Sequence, residues 1–179
     1  MRKSIIAILM TFCLSIMTYA QTPRDRATEL KEQAQSSLNQ KDYIKARYLF
    51  KKAYEAFATR ENYPQAIECG VQANALYVRE NFYKEGFELC RDMDQLIWAG
   101  EQNQKKVFYD LRFLVNKERL QMYTALKNPA QAKTQLNKLE ETANLAKNDS
   151  LTEVLLYTKA NYYYTFNQNT QGDACPQTN

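Results

Sequence analysis

The sequence predicts an all-α fold, a solenoid of stacked helical hairpins with about seven helices: three hairpins followed by an unpaired last helix. Three observations carry that prediction. The first is composition: only four Gly and four Pro occur in 179 residues, and the helix formers Ala, Leu, Lys, Glu and Gln are abundant. The second is a repeat. Tyr43, Ala46, Phe50 and Ala53 follow the spacing Y-x-x-A-x-x-x-F-x-x-A, and forty residues later Tyr83, Gly86, Cys90 and Met93 return aromatic, small, apolar and apolar side chains to the same slots. Self-similarity at this period marks arrays whose units bury their apolar faces only by stacking on neighbours. The third is a succession of helix-start signals at Thr22, Asp42, Pro64, Asn128 and Ser150.

Residues 1–20 read as a secretory signal peptide. Arg2 and Lys3 form its basic start, Ile5 to Met17 its apolar run, and Thr18-Tyr19-Ala20 a cleavage site before Gln21. Phe12 precedes Cys13 where a lipoprotein signal needs a small residue, so no lipid is expected there. The remaining residues, 21–179, form one helical repeat domain with no membrane span, and the expected location is periplasmic.

Beyond the signal, Thr22 reads as an N-cap, Pro23 as a first-turn proline and Asp25 as an acidic residue facing the helix dipole. The first helix runs to about Gln40, with Leu30, Ala34 and Leu38 on one face. Asp42 caps the second, which ends near Arg60. Pro64 opens the third, with Ala66, Cys69, Ala73 and Leu76 or Tyr77 as its buried stripe. The fourth starts near Phe82, buries Gly86, Cys90, Met93 and Ile97, and ends with Gly100 as its left-handed cap. Trp98 is expected to pack at a hairpin seam.

Val107, Leu111, Leu114, Val115 and Leu120 serve the fifth helix. Asn128, Pro129 and Gln131 form a capping box for the sixth, where Ala132, Leu136 and Leu139 fill the small, plug and closing slots. Ser150 and Glu153 form another box for the seventh, which turns Leu151, Leu155, Thr158 and Tyr162 inward. A further second-helix beginning near Gly172, with Ala174 in the small slot, is cut short by Pro176. The last helix is then left with an exposed aromatic face of Tyr162, Tyr163, Tyr164 and Phe166. C-terminal truncation of a longer protein is the favoured explanation; a homodimer burying that face, or a tail folding back, are the alternatives.

The second-helix pattern A-x-x-x-F-x-x-A at Ala46, Phe50 and Ala53, preceded by Leu30 and Ala34, resembles the tetratricopeptide repeat (TPR). Leu30 stands in the family's tryptophan-type slot and Ser37 in its first-helix aromatic slot, and no proline closes the unit. The resemblance implies that Ala34 and Ala46 let two antiparallel helices approach closely while Phe50 plugs the hairpin. It also implies that the first helices line a concave side. Ala46 and Ala132 are 86 residues apart, and this register puts Lys31 and Gln35 in the slots of Lys117 and Gln121. Carried to the other repeats, it adds Gln72, Arg79, Lys159 and Tyr163. Cations and amides of this kind suit an extended peptide or its terminal carboxylate.

The function classes narrow by exclusion. The chain has no histidine, which removes Ser-His-Asp and Cys-His catalysis and His-ligated zinc. No phosphate-cradling loop, metal-spaced carboxylate cluster or activated nucleophile is present; every Asp and Glu reads as a helix-surface or cap residue, and Glu140 and Glu141 diverge on their helix. No cofactor is implied, and the chain is not expected to be an enzyme. The formal charge of +4 falls to +2 once Arg2 and Lys3 leave, and Lys and Glu alternate along the helices, so nucleic acid is not an expected partner. Three cysteines follow the signal. Cys69 and Cys90 lie on the two helices of one hairpin, and buried free thiols are favoured over a disulfide; Cys175 has no reactive role.

The chain is therefore expected to be an exported, non-enzymatic module that binds protein or peptide. It is also similar to the exported N-terminal TPR regions of Gram-negative membrane-bound regulators, which implies a sensing role in signal transduction. A free-standing periplasmic binding or assembly scaffold, for peptide or glycan, is the alternative.

Overall fold

Helices start where a short polar side chain can accept the free N–H groups of a first turn. The computed structural model describes residues 25–166, which form seven helices and no strand. These are α1 (Arg26–Asn39), α2 (Tyr43–Thr59), α3 (Tyr63–Arg79), α4 (Tyr83–Gln104), α5 (Tyr109–Ala125), α6 (Pro129–Ala146) and α7 (Asp149–Thr165). The expected signal segment, Thr22-Pro23, Cys175 and the abortive last helix lie outside the described residues.

Asp42, Asn62, Asn128 and Asn148 cap α2, α3, α6 and α7 through their side chains. At three points the caps differ from expectation. Asp25, expected inside the first turn, is itself the N-cap of α1: its carboxylate accepts from the Ala27 N–H. Ser150 is not a cap, because Asn148 takes that place and accepts from the Ser150 N–H. The box at Asn128 is half formed. Asn128 accepts from the Gln131 N–H at 3.2 Å, while its own N–H is already committed to the Tyr123 carbonyl.

Four turns are built alike. The Asp42 N–H reaches the Ser37 carbonyl and the Lys41 N–H the Leu38 carbonyl, and the same pair of bonds recurs at Asn62 and Glu61, Phe82 and Asn81, and Asn128 and Lys127. In each, the residue whose N–H closes one helix also opens the next, which folds the chain back within three residues. Every turn contains a left-handed residue, and none of them is glycine: Lys41, Glu61, Asn81, Lys105, Lys127 and Lys147.

Gly100 is accordingly not a cap. The helix runs past it to Gln104 and ends on Lys105. Gly100 is required instead by packing, since a Cβ there would stand 2.8 Å from a Phe108 ring carbon and 2.9 Å from the Tyr63 ring. Val107, assigned from sequence to the fifth helix, precedes α5 and is exposed.

The small slots lie where the repeat requires. Ala46 and Ala132 are fully inaccessible to solvent and Gly86 is buried, so helix axes can cross at short range; Phe50, Cys90 and Leu136 fill the plug slots behind them. Consecutive helices pack as hairpins, most closely α1 on α2, α2 on α3 and α5 on α6. The first helices also pack on each other, α3 against α5 and α5 against α7, which makes the array continuous.

The core is divided at α5. Leu111, Val115 and Met122 join the apolar interior of α1 to α4, whereas Phe113 and Leu120 join that of α6 and α7. Burial of each such side chain contributes about 1.5–3 kcal/mol. One helix therefore couples two cores, and its remaining faces are the ones that border the grooves.

Candidate partner-binding grooves

The residues placed by register at the concave side do not converge on a single site. Lys31 is engaged: its ammonium donates to Gln65 at 2.8 Å and pairs with Glu68 at 2.7 Å, both on α3. Gln35 donates to Asn39 on its own helix, and Gln72 is exposed. The Arg79 guanidinium lies 3.9 Å from the centre of the Tyr43 ring, a stacking contact that fastens α3 to α2. Lys159 pairs with Glu140 at 2.7 Å, and the Tyr163 ring lies 5.8 Å from the Lys133 ammonium. Lys117 and Gln121 do come together, in one cavity.

That cavity is a groove of about 380 Å³ between α5 and α7. Lys117, Gln121 and Thr124 come from α5, Lys127 from the turn after it, and Tyr157, Asn161 and Tyr162 from α7. No carboxylate lines it, and neither lysine makes an ion pair among the described residues. Tyr157 is 71 % exposed, and Val154 beside it is also open to solvent. The groove thus combines two unneutralised cations, amides able to bond a backbone, and an exposed ring.

The aromatic face expected on the last helix needs correction. Tyr162 is buried, and Tyr163 and Phe166 pack against the second core, with ring centres 5.3 and 5.0 Å from that of Tyr162. Of the four, only Tyr164 is exposed. The large apolar residues that α7 shows to solvent are Val154, Tyr157 and Tyr164, a stripe that a run of consecutive aromatics does not reveal.

Trp98 is the second correction. It does not pack at a seam but is 62 % exposed, beside a cavity of about 450 Å³ bordered by α4, α5 and α6. Arg119 forms part of its lining and is held firmly: it donates to the Cys90 carbonyl at 3.0 Å, to Asn116 and to both oxygens of Asp94. Arg112 is held by a two-point bond to Glu101, a carboxylate that also accepts from the Phe108 N–H. The Arg112 bond holds the Glu101 carboxyl below the usual range.

Two carboxylates escaped the sequence reading, which placed all of them at surfaces and caps. Glu101 and Glu118 are both buried. Glu118 is only 2 % exposed and accepts from the Asn74 amide at 3.0 Å, while the Asn74 carbonyl oxygen has no hydrogen-bond partner among the described residues. Burial pushes the Glu118 carboxyl up, opposed by the Asn74 bond and the Lys117 charge. The signal was present in the spacing: Glu118 falls between Val115 and Met122 on the stripe that faces the first core.

Cys69 and Cys90 are both buried and free. Burial raises the Cys69 thiol to about 11 and the Cys90 thiol to about 12, so neither presents a thiolate near neutral pH. Among the described residues no group of carboxylates and cysteines has the arrangement to hold a metal ion, and no helix is long and apolar enough to cross a membrane. Comparison with protein-family models, curated proteins and solved structures found no match to this chain.

Proposed function

We propose that this chain is an exported interaction module of the TPR type, which holds the carboxylate-bearing end of an extended peptide in the groove between α5 and α7. The observation that supports this reading is the groove's charge balance: among the described residues Lys117 and Lys127 line it and no carboxylate does. An unneutralised pair of ammonium groups favours an anionic ligand and steers its approach, while Gln121 and Asn161 supply the amides that a peptide backbone needs. Tyr157 offers an apolar surface beside them. As a periplasmic sensor for a membrane-bound regulator, the module acts through contacts rather than chemistry, and peptide capture is the signal it passes on.

Fluorescence anisotropy with a heptapeptide library bearing free C-terminal carboxylates tests the binding step, with the matched C-terminal amides as controls. The expected result is selection of acidic free-ended peptides, with affinity lowered about tenfold or more by Lys117→Glu combined with Lys127→Glu. Equal binding of the amides, or an unchanged affinity in the double variant, overturns the reading. The sensing role is tested separately by reading the gene beyond Asn179 for a hydrophobic span and an output domain.

A further inference from the structure

We infer that the groove beside Trp98 is a second ligand site, distinct from the groove between α5 and α7, and that it takes a neutral pyranose carbohydrate. Three features of the groove point to that class. The first is the indole. Trp98 is 62 % exposed in a chain whose other large side chains mostly find a core, and a flat apolar surface open to water suits the C–H face of a sugar ring.

The second is the density of hydrogen-bonding groups of both signs. A guanidinium carries five N–H donors, and Glu101 engages Nε and Nη2 of Arg112, which leaves donors for a ligand. Lys138 and Glu141 line the same cavity and make no ion pair or side-chain hydrogen bond among the described residues. Arg119, by contrast, has both terminal nitrogens engaged and acts as a scaffold that fixes Asp94 and Asn116 at the wall. A ring of hydroxyls, each both donor and acceptor, matches such a mixed and prearranged lining.

The third is charge. Arg112, Arg119 and Lys138 share the lining with Asp94 and Glu141, and Arg112 is also paired with the buried Glu101, which is not itself in the lining. This distinguishes the groove from the one at Lys117 and Lys127, where no carboxylate is among the described lining residues. A neutral ligand loses nothing here, whereas an acidic peptide meets Asp94 and Glu141 in the lining, with Arg112 and Arg119 already paired to carboxylates. The cavity of about 450 Å³ lies within the range of small-molecule sites and accommodates one or two sugar rings.

Trp98 is the only tryptophan in the chain, so intrinsic fluorescence reports on this groove directly. The purified chain is titrated with cellobiose, maltose, lactose and chitobiose to about 20 mM each, a range that captures a Kd of about 0.1–10 mM. The expected result is a saturable shift with at least one of the four, with its binding heat abolished in Trp98→Ala and its affinity lowered about fivefold or more in Glu141→Ala. Both positions are solvent-facing, and an unchanged far-ultraviolet dichroism spectrum verifies that the variants fold. Absence of saturation with all four sugars, binding retained by Trp98→Ala, or a response to glucuronate alone overturns the inference. Quenching of Trp98 by the acidic peptides that bind at Lys117 also overturns it, by assigning this groove to the peptide; failure of the peptide site leaves the sugar titration unaffected.

Discussion

Replacing Gly86 with alanine tests whether the tight crossing of α4 over α3 and α5 organises the array. On an exposed helix face this substitution stabilises a protein by about 0.5–1 kcal/mol, because glycine loses more backbone freedom on folding. At position 86 the added Cβ would stand 2.7 Å from the Met122 sulfur and 3.0 Å from the Asn74 side-chain oxygen. Neither neighbour can swing into solvent, since both are fully buried. Forcing a methyl group into a packed interior costs about 1–3 kcal/mol. Displacing the Asn74 amide from Glu118 adds about 1–3 kcal/mol for a disrupted buried hydrogen bond. After the helix gain is subtracted, the expected net effect is a destabilisation of about 1–5 kcal/mol. Guanidinium denaturation followed by far-ultraviolet dichroism measures it. A Met122→Ala background should restore part of the loss, with a coupling of about 0.5 kcal/mol or more. A Gly86→Ala variant as stable as the parent, or more so, would refute the close-crossing argument.

Two further predictions concern groups the packing holds in unusual states. Burial raises the folded-state pKa of Glu118, so the folded chain keeps a proton that the unfolded chain releases; the associated stability is complete below the ordinary carboxylate range and is lost as pH rises through the folded value. Glu118→Gln removes that dependence, and its stability relative to the parent should improve from pH 4 to pH 8; a difference that does not change with pH would contradict the assignment. Glu61 holds a left-handed conformation at φ 56°, so Glu61→Gly should raise stability by about 0.5–1 kcal/mol in the same denaturation assay, and a loss of stability would show that its side chain matters more than its backbone.

Helix boundaries were legible wherever a short polar cap or a proline announced them, as at Asp42, Pro64 and Asn128. They were misplaced where the turn used a residue without a signature. Six lysine, glutamate and asparagine residues occupy the left-handed turn positions, so a terminating glycine is no guide to where α4 ends, and Gly100 is instead kept small by two aromatic rings. The buried slots were readable for the same reason the caps were, because residues three and four apart share a helix face. The candidate site was less legible. Lys31 and Lys117 hold the same repeat register, yet one meets a carboxylate on the next first-helix and the other lines a groove with none among its described residues.

The order of seven helices and the small side chains at Ala46, Gly86 and Ala132 followed from the sequence, because both are set by spacings of a few residues along one chain direction. Tertiary structure alone decided that Trp98 faces solvent, that Glu118 is sealed beneath Gly86 with Asn74, and that α5 borders two grooves of different charge. The physical reason is one of range. A periodic stripe reports which side of a helix is apolar, but the separation of two neighbouring helices, and hence whether a cleft or a seam lies between them, depends on side chains more than twenty residues apart in sequence meeting at a crossing.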